Sequence, residues 1–454
     1  MLPVSKNDRL VVDIIDLTHE GRGVAKVDGY PIFIENALPG EQVKIHVMKV
    51  GKKFAFAKVL EILTESESRV ALEDETLIRT GIAPLQHMSY EAQLDFKQKQ
   101  VENVMRKVAK MPEIEVLPTM GMEDPTHYRN KAQIPVRKIE GELETGFYRR
   151  NSHDLVPIES FYIQDEVIDK AVIAVRDVLR QFNIKPYNEE ENTGLIRHII
   201  VRHGHYTGEL MVVLVTRVGK IFQGDKVVAE IVKALPNVTS IIQNINGDQT
   251  NVILGEWTRT LYGKDVIVDE LLGKRYEISA KSFFQVNTKQ AEVLYQVAID
   301  FADLQATDTV IDAYCGTGTI GLTIADKVEH VYGMEIVPEA IKDAKRNQEI
   351  NDVENVTFQV GAAEYVLPEW QEKGIEADVI IVDPPRKGLK ESFIETSAAM
   401  QPEKIVYVSC NPSTFARDVK IYAGLGYQLD KVQPVDMFPQ TPHVEVVGLL
   451  TKMN

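Results

Sequence analysis

Residues 310–322 read VIDAYCGTGTIGL: an apolar run, an acidic residue, two glycines, then an apolar helix start. A strand that passes through glycines into a helix lets a ligand approach the backbone closely, and it commonly opens an α/β sheet. Working outward, the runs HVYGME, NVTFQV, ADVIIVD and KIVYVSC follow, alternating with helical stretches, and a helix over about 288–304 precedes them. Continuous apolar runs separated by helices are the pattern of a buried, mostly parallel sheet. The last part of the chain therefore reads as doubly wound α/β.

Upstream the pattern changes. Residues 113–275 mix candidate strands (KAQIPVRK, GLIRHIIVRH, GELMVVLVTRV) with helices expected over 165–182 and 224–235. Alternation in those strands predicts an antiparallel sheet with one wet face. Residues 9–63 break into five short apolar runs split by glycine turns, which predicts a small five-stranded barrel. Between them, 64–88 reads as a polar, irregular connection. From Ser89, a plausible cap, Tyr90, Leu94, Val101, Met105 and Val108 fall at near-helical spacing up to about Lys110. Three units result: a barrel over 1–63, a central α+β unit with its linker over 64–280, and the α/β unit over 281–454.

Length and composition agree with several folded units. The chain has 454 residues, 44% hydrophobic and 26% charged, a globular balance. No apolar run approaches the roughly 20 residues a bilayer needs, and the start, MLPVSKNDRL, does not read as a secretory leader, so the cytosol is the expected location. Only two cysteines occur, which excludes a multi-bridge disulfide framework and any site built on four thiolates. The net charge of −16 argues superficially against a nucleic-acid partner. Distribution qualifies that: residues 1–63 carry nine Lys/Arg against eight Asp/Glu, a net of +1, leaving −17 on the rest.

The chemistry-bearing residues fall at strand ends. Asp312, Gly316 and Gly318 sit in the first loop, and Glu335, 17 residues beyond Gly318, ends the next strand, placed to hold ribose hydroxyls of a nucleoside cofactor. The loop is GTG rather than a full dinucleotide fingerprint. S-adenosylmethionine, which has no pyrophosphate, suits it better than NAD. The fourth strand ends in Asp383, Pro384, Pro385 and Arg386, and the fifth delivers Cys410, then Asn411 and Pro412, to the same edge. Cys315, inside the cofactor loop, reads as an inert buried thiol. Glu445 lies on a late element returning to the sheet. Carbon 5 of uracil is too weak a nucleophile for a sulfonium methyl until a thiolate has added to carbon 6. A base must then remove the hydrogen from carbon 5; Glu445 is the candidate, with another carboxylate or a water as alternatives.

Taken together, FFQVNT (283–288), DAYCGTG, GMEI, VDPPRKG, SCNPST and HVEVV resemble the bacterial RNA 5-methyluridine methyltransferase family, in particular 23S rRNA (uracil-5-)-methyltransferases of the RumA and RlmCD type. The segment HEGRGVAKVDGYPIFIENALPGE is similar to the TRAM domain, the small RNA-binding barrel of these enzymes. The resemblance covers essentially the whole chain and implies a Rossmann-like S-adenosylmethionine-dependent methyltransferase domain, with RNA, 23S rRNA in particular, as partner and no membrane or obligate protein partner. It assigns Gln285, Tyr314, Glu335 and Asp383 to the cofactor, beside Asp312 and Gly316 from the loop. Cys410 matches the nucleophile and Glu445 the base. Phe283 matches a ring near the target base, and Arg129, Asn130 and Lys131 match a segment associated with substrate.

One departure stands out. Many relatives carry a four-cysteine iron–sulfur site; here its positions fall on Asp74, Thr80, Ala83 and Phe161, so no cluster is expected. Competing readings are an amino methyltransferase with a proline pair at this strand end, an RNA cytosine-5 methyltransferase, the same uridine reaction on tRNA, and a noncatalytic RNA-binding protein with a relict methyltransferase domain. The first needs an aromatic residue where Arg386 stands, and the second has a different nucleophile context. Intact acidic, Gln and Cys positions argue against the last. An enzyme acting on a normally stacked base calls for single-stranded or looped RNA and a flipped nucleotide.

Overall fold

The computed structural model describes residues 2–150 and 152–453. Seven strands form the C-terminal sheet, numbered here in chain order: β1 Thr309–Ala313, β2 His330–Glu335, β3 Val356–Val360, β4 Val379–Val382, β5 Lys404–Ser409, β6 Tyr427–Val435 and β7 Glu445–Lys452. Their order across the sheet is β3-β2-β1-β4-β5-β7-β6. The first five strands run parallel, and β7 inserts antiparallel between β5 and β6. Chain direction across the sheet reverses between β1 and β4, the switch point outside whose carboxyl ends ligands of such sheets bind. Apolar side chains cover both faces: Val310, Val331, Ile381 and Val406 enter one cluster, and Ile311, Met334, Ile380 and Ile405 the other. The expected doubly wound α/β unit is thus present, led by the helix Thr288–Ala302.

The N-terminal strands close into a small barrel of six rather than five. The first run splits into Arg9–Asp13 and Asp16–Leu17, which pair with different neighbours, so the bend at 14–15 carries the chain round the closure. Ile32, Ile34, Val43, Ile45 and Val47 fill the interior.

The central sheet corrects the expectation of an antiparallel layer with one wet face. Its seven strands include a parallel pair, Leu210–Thr216 beside Val238–Ile245, joined through the helix Gly224–Ala234. Every residue of Leu210–Thr216 is buried. Leu210, Val212 and Leu214 enter the central core, whereas Met211, Val213 and Val215 enter the core of the C-terminal sheet. LMVVLVT has no polar alternation because neither face meets water. The hairpin Val266–Leu271/Lys274–Ser279 also packs Ile267, Leu271, Tyr276 and Ile278 into that C-terminal core.

The connection over 64–88 is more ordered than its polarity suggests. Asp74 caps a helix, Glu75–Thr80, by accepting from the Thr76 N–H, and Gly81, in the left-handed region at φ 76°, ends it. Ala83 and Phe161, two of the positions onto which the resemblance maps the iron–sulfur cysteines, are fully buried in one apolar cluster with Leu77, Ile82 and Ile163. Thr80 donates to the Thr76 carbonyl. Hydrocarbon packs this place. The following helix, Tyr90–Val104, continues as a widened π turn, Met105–Ala109.

Candidate active site

Register alone brings the strand-end residues together. Ala313 is level with Met334 on one side and with Val382 on the other. Tyr314, Glu335 and Asp383 therefore each stand one residue beyond the same line, at the carboxyl edge. On the far side of β4 the last β5–β7 pair is Ser409 with Val446. Cys410 and Glu445 occupy the next step, facing each other across that ladder.

The loop after β1 is built to leave room. Tyr314, Gly316 and Gly318 all have positive φ, at 65°, 56° and 82°. A Cβ on Gly318 would lie 2.8 Å from the Phe358 ring and 3.3 Å from Ala344, so only glycine fits there. A Cβ on Gly316 would meet nothing within 4 Å, because its backbone borders open space. Glu335 faces that space and accepts from the Gly316 N–H at 3.3 Å and the Val337 N–H at 3.0 Å. Asp312 lies beneath, 1% exposed, and accepts from the Gly321 N–H at 2.8 Å; its other oxygen is buried without a partner. Burial above all, then the charges of Asp383 and Glu335, pushes the Asp312 carboxyl up to about 7, against the Gly321 bond. Cys315 is buried behind the loop, and burial raises its thiol well above the usual range.

Gln285 enters from the segment before the helix Thr288–Ala302. Its Nε2 donates to the Tyr295 hydroxyl at 3.2 Å, and its carbonyl accepts from Asn130 Nδ2 at 2.9 Å. Asn130 also donates to Thr288 Oγ1, and its backbone N–H to the Val286 carbonyl. The RNK segment is thus stitched to the loop carrying Phe283 and Gln285. Phe283 is 71% exposed. Arg129 and Lys131 lie at the start of a central strand, with buried Arg202 opposite Lys131 in register. Burial, then the charges of Arg202 and Arg129, lowers the Lys131 ammonium to about 7.

Cys410 is half-buried and lines a cavity of about 830 Å³ with Arg386, Asn411, Pro442, His443, the helix Tyr90–Val104 and the barrel. Burial, then the carboxylates of Glu445 and Asp383, pushes its thiol up to about 11, and Arg386 opposes the rise. Glu445, 8% exposed, is pushed up to about 8 by burial and by Asp383, again against Arg386. Burial puts Asp383 at about 7. The cleft edge therefore holds one thiol, two proton-retaining carboxyls and one cation. Arg386 is fixed through its backbone: Asn411 Nδ2 donates to its carbonyl at 3.1 Å. Asp418, fully buried, accepts from the Leu389 N–H and the Tyr407 hydroxyl and ties the DPPRKG loop to the helix that follows Cys410.

Comparison with known proteins gives the family. The tRNA (Uracil-5-)-methyltransferase family model matches residues 252–453, and the TRAM domain model residues 4–60. An RNA methyltransferase of Enterococcus faecalis, itself uncharacterized, is 56% identical over 450 residues, 99% of this chain and 98% of the relative. The chain belongs to the RNA uracil-5-methyltransferase family. A second family relative, from Streptococcus mutans, is 56% identical over 449 residues, covering 99% of this chain and all of that one. Among solved structures, the Pyrococcus abyssi tRNA (uracil-54, C5)-methyltransferase in complex with S-adenosyl-L-homocysteine superposes with a TM-score of 0.78 at 28% identity, over 97% of this chain and 100% of that one. Among the described residues no helix is long and apolar enough to cross a membrane, and no group of three or more His, Cys, Asp or Glu is placed to hold a metal ion.

Sequence reasoning did not assign roles to Tyr295, Asp418 or the Arg386 side chain. Tyr295 and Asp418 lie on helices among apolar neighbours, and only the fold shows what they touch. Arg386 stood in a motif already noted, and its position beside a thiol and two carboxyls was the missing information.

Proposed function

We propose that the chain methylates carbon 5 of uridine in 23S rRNA, using S-adenosylmethionine and a covalent adduct between Cys410 and carbon 6 of the base. The observation carrying this reading is the register that sets Tyr314, Glu335 and Asp383 on one edge line and faces Cys410 with Glu445 beside them.

The donor suits the residues present. The Gly316 backbone borders open space, Glu335 offers a carboxylate to vicinal hydroxyls, Asp312 holds the loop from below with one oxygen free, and Gln285 and Asp383 supply polar atoms at the rim. When bound, S-adenosylmethionine supplies an electrophilic methyl on a sulfonium sulfur.

On the substrate side, Cys410 gives its proton to solvent and its sulfur bonds to carbon 6, and the ring electron pair moves toward the carbon 4 oxygen as an enolate. Carbon 5 is now nucleophilic and takes the methyl. Glu445, ionised, removes the remaining hydrogen from carbon 5, the double bond re-forms, and the carbon 6–sulfur bond breaks to return the thiolate. Arg386 lowers both the thiol and the Glu445 carboxyl, which favours the two ionised forms the cycle needs. Phe283, exposed before Gln285, offers a ring to the flipped base, and Arg129 offers a cation to the RNA backbone, with Lys131, whose ammonium is lowered to about 7, beside it.

The tRNA alternative is favoured by two observations, the match of the tRNA (Uracil-5-)-methyltransferase family model to residues 252–453 and the similarity to a tRNA (uracil-54, C5)-methyltransferase over nearly the whole chain. Mass mapping of 5-methyluridine in rRNA and tRNA from cells with and without the protein decides between them. Loss of the mark from 23S rRNA alone is expected; loss from tRNA alone replaces the substrate, and no change in either overturns the reaction.

A further inference from the structure

The outer face of the barrel departs from what a small solvated barrel needs. In the strands Tyr30–Glu35 and Ala55–Thr64, Ile32, Ile34, Ala55 and Ala57 point inward and are buried. The alternate positions, where a solvated strand carries polar residues, hold Phe33 and Phe56, and Phe54 precedes the second strand. The three rings pack on one another. Centroids are 5.3 Å apart for Phe33 and Phe54, 5.9 Å for Phe33 and Phe56, and 5.4 Å for Phe54 and Phe56. Arg22 lies over the Phe56 ring at 5.3 Å and is also held by Glu20 at 2.8 Å. Phe54, at the tip of the turn after Lys52 and Lys53, remains 39% exposed. Rings gathered only to bury one another would not leave the outermost one with that much surface.

Register links this patch to the catalytic cavity. Asp16, on the cavity wall, pairs with Val24, Val24 with Phe33, Phe33 with Phe56, and Phe56 with Lys49. Directly paired residues share a face, so one row runs from the cavity rim across the rings to an exposed lysine. The first 63 residues are also the only one of the three units free of net negative charge, at +1 against −17 for the rest.

We infer that Phe33, Phe54 and Phe56, with Arg22 and Lys49, form a stacking platform for unpaired bases of the RNA strand leaving the catalytic cavity. This rests on the reading of the chain as an RNA methyltransferase and names how it grips RNA beyond the target base. Stacking on an aromatic face is tolerant of sequence, and cations beside the rings take the backbone. A single strand fits this face because paired bases present no free ring surface.

The test uses the full chain, a fluorescent unpaired 12-nucleotide RNA and a duplex of the same sequence. Phe54→Leu keeps apolar bulk and removes the aromatic face, whereas Phe54→Tyr keeps that face. Single-strand affinity is expected to fall on the order of tenfold in Phe54→Leu and to hold in Phe54→Tyr, with duplex affinity and Tm unchanged in both. Lys49→Gln is expected to reduce the salt dependence of single-strand binding by about one counterion. Equal single-strand affinity in Phe54→Leu and the unaltered protein, the result if the patch docks a protein instead, overturns the platform. Uridine methylation is read on the same preparations. If the unaltered protein methylates RNA while Phe54→Leu binds normally, only the platform fails; if the unaltered protein makes no 5-methyluridine, the methyltransferase reading fails.

Discussion

A thiol held near 11 is almost wholly protonated at neutral pH, about one part in ten thousand thiolate. The proposed mechanism therefore requires that Cys410 be ionised as the base arrives, and Arg386 is the cation beside it. The carboxyl of Glu445, near 8, needs the same direction of change. Activity under subsaturating RNA is thus expected to rise from pH 7 to pH 9, which a pH–rate profile measures. Arg386→Gln should lower kcat by roughly 10- to 100-fold and steepen that rise, as expected for a lost charge of about 1.4 kcal/mol or more. Glu445 also gives a stability prediction whose sign is fixed. Its pKa in the fold lies above its unfolded value, so the stability its neutral form contributes is full below about 4.5 and is lost as pH rises through 8. Glu445→Gln should therefore raise Tm at pH 9 and leave it unchanged at pH 4, while methyl transfer falls; a lower Tm at pH 9 would refute the burial argument. Positions such as Glu335, Asp383 and Cys410 were readable from sequence because each directly follows an apolar run, and a strand end is a defined address in such sheets. The proton affinity of Cys410 was not readable, since it depends on Arg386, Asp383 and Glu445, 24 to 35 residues distant in the chain.

At the level of elements, the strand Leu210–Thr216 and the helix Tyr90–Val104 show where local pattern runs out. Six successive apolar residues say that a strand is buried on both faces, but not that the second face belongs to another unit's core. The near-helical spacing from Tyr90 was legible, yet the π turn at its end was not. That turn arises where the helix packs against the helix Pro412–Gly424, which begins two residues after Cys410. Helix Tyr90–Val104 is clamped to the segment before Glu445. Lys97, fully buried, donates to Asp436 at 2.5 Å and to the Phe438 carbonyl, Tyr90 donates to the same carboxylate, and Gln93 and Gln440 exchange two bonds. Removing one partner of a buried pair strands the other charge. Lys97→Met is expected to cost about 3–5 kcal/mol in urea unfolding, and Lys97→Met with Asp436→Leu to recover much of that loss. Equal losses in the two variants would mean the pair is not coupled.

Across the whole molecule, one cavity takes its wall from the barrel, from the helix after the linker and from the sheet edge that carries Cys410. Deleting residues 1–63 should weaken RNA binding at least tenfold while changing S-adenosylmethionine affinity little, by calorimetry; equal RNA affinity with and without the barrel would refute its role. The apolar cluster of Leu77, Ala83 and Phe161 also predicts independence from iron, because hydrocarbon fills the place where the sequence resemblance would set cysteines. Activity should survive chelators and anaerobic or aerobic handling alike, and Phe161→Ala should cost about 3–5 kcal/mol of stability through the cavity it opens. Barrel, central unit and α/β sheet were each legible in order. What held them together was not, because the side chains that join them, such as Asn130 with Gln285 and Lys97 with Asp436, are far apart in sequence.

The central claim is a bond between one sulfur and carbon 6 of a uracil. With RNA carrying 5-fluorouridine at the target and S-adenosylmethionine present, the fluorine cannot leave as a proton does, so the adduct should persist. Peptide mass spectrometry is then expected to find the methylated fluorouridine on the fragment holding Cys410, and none on Cys410→Ala. An adduct on any other residue, or full methylation by Cys410→Ala, would contradict the account.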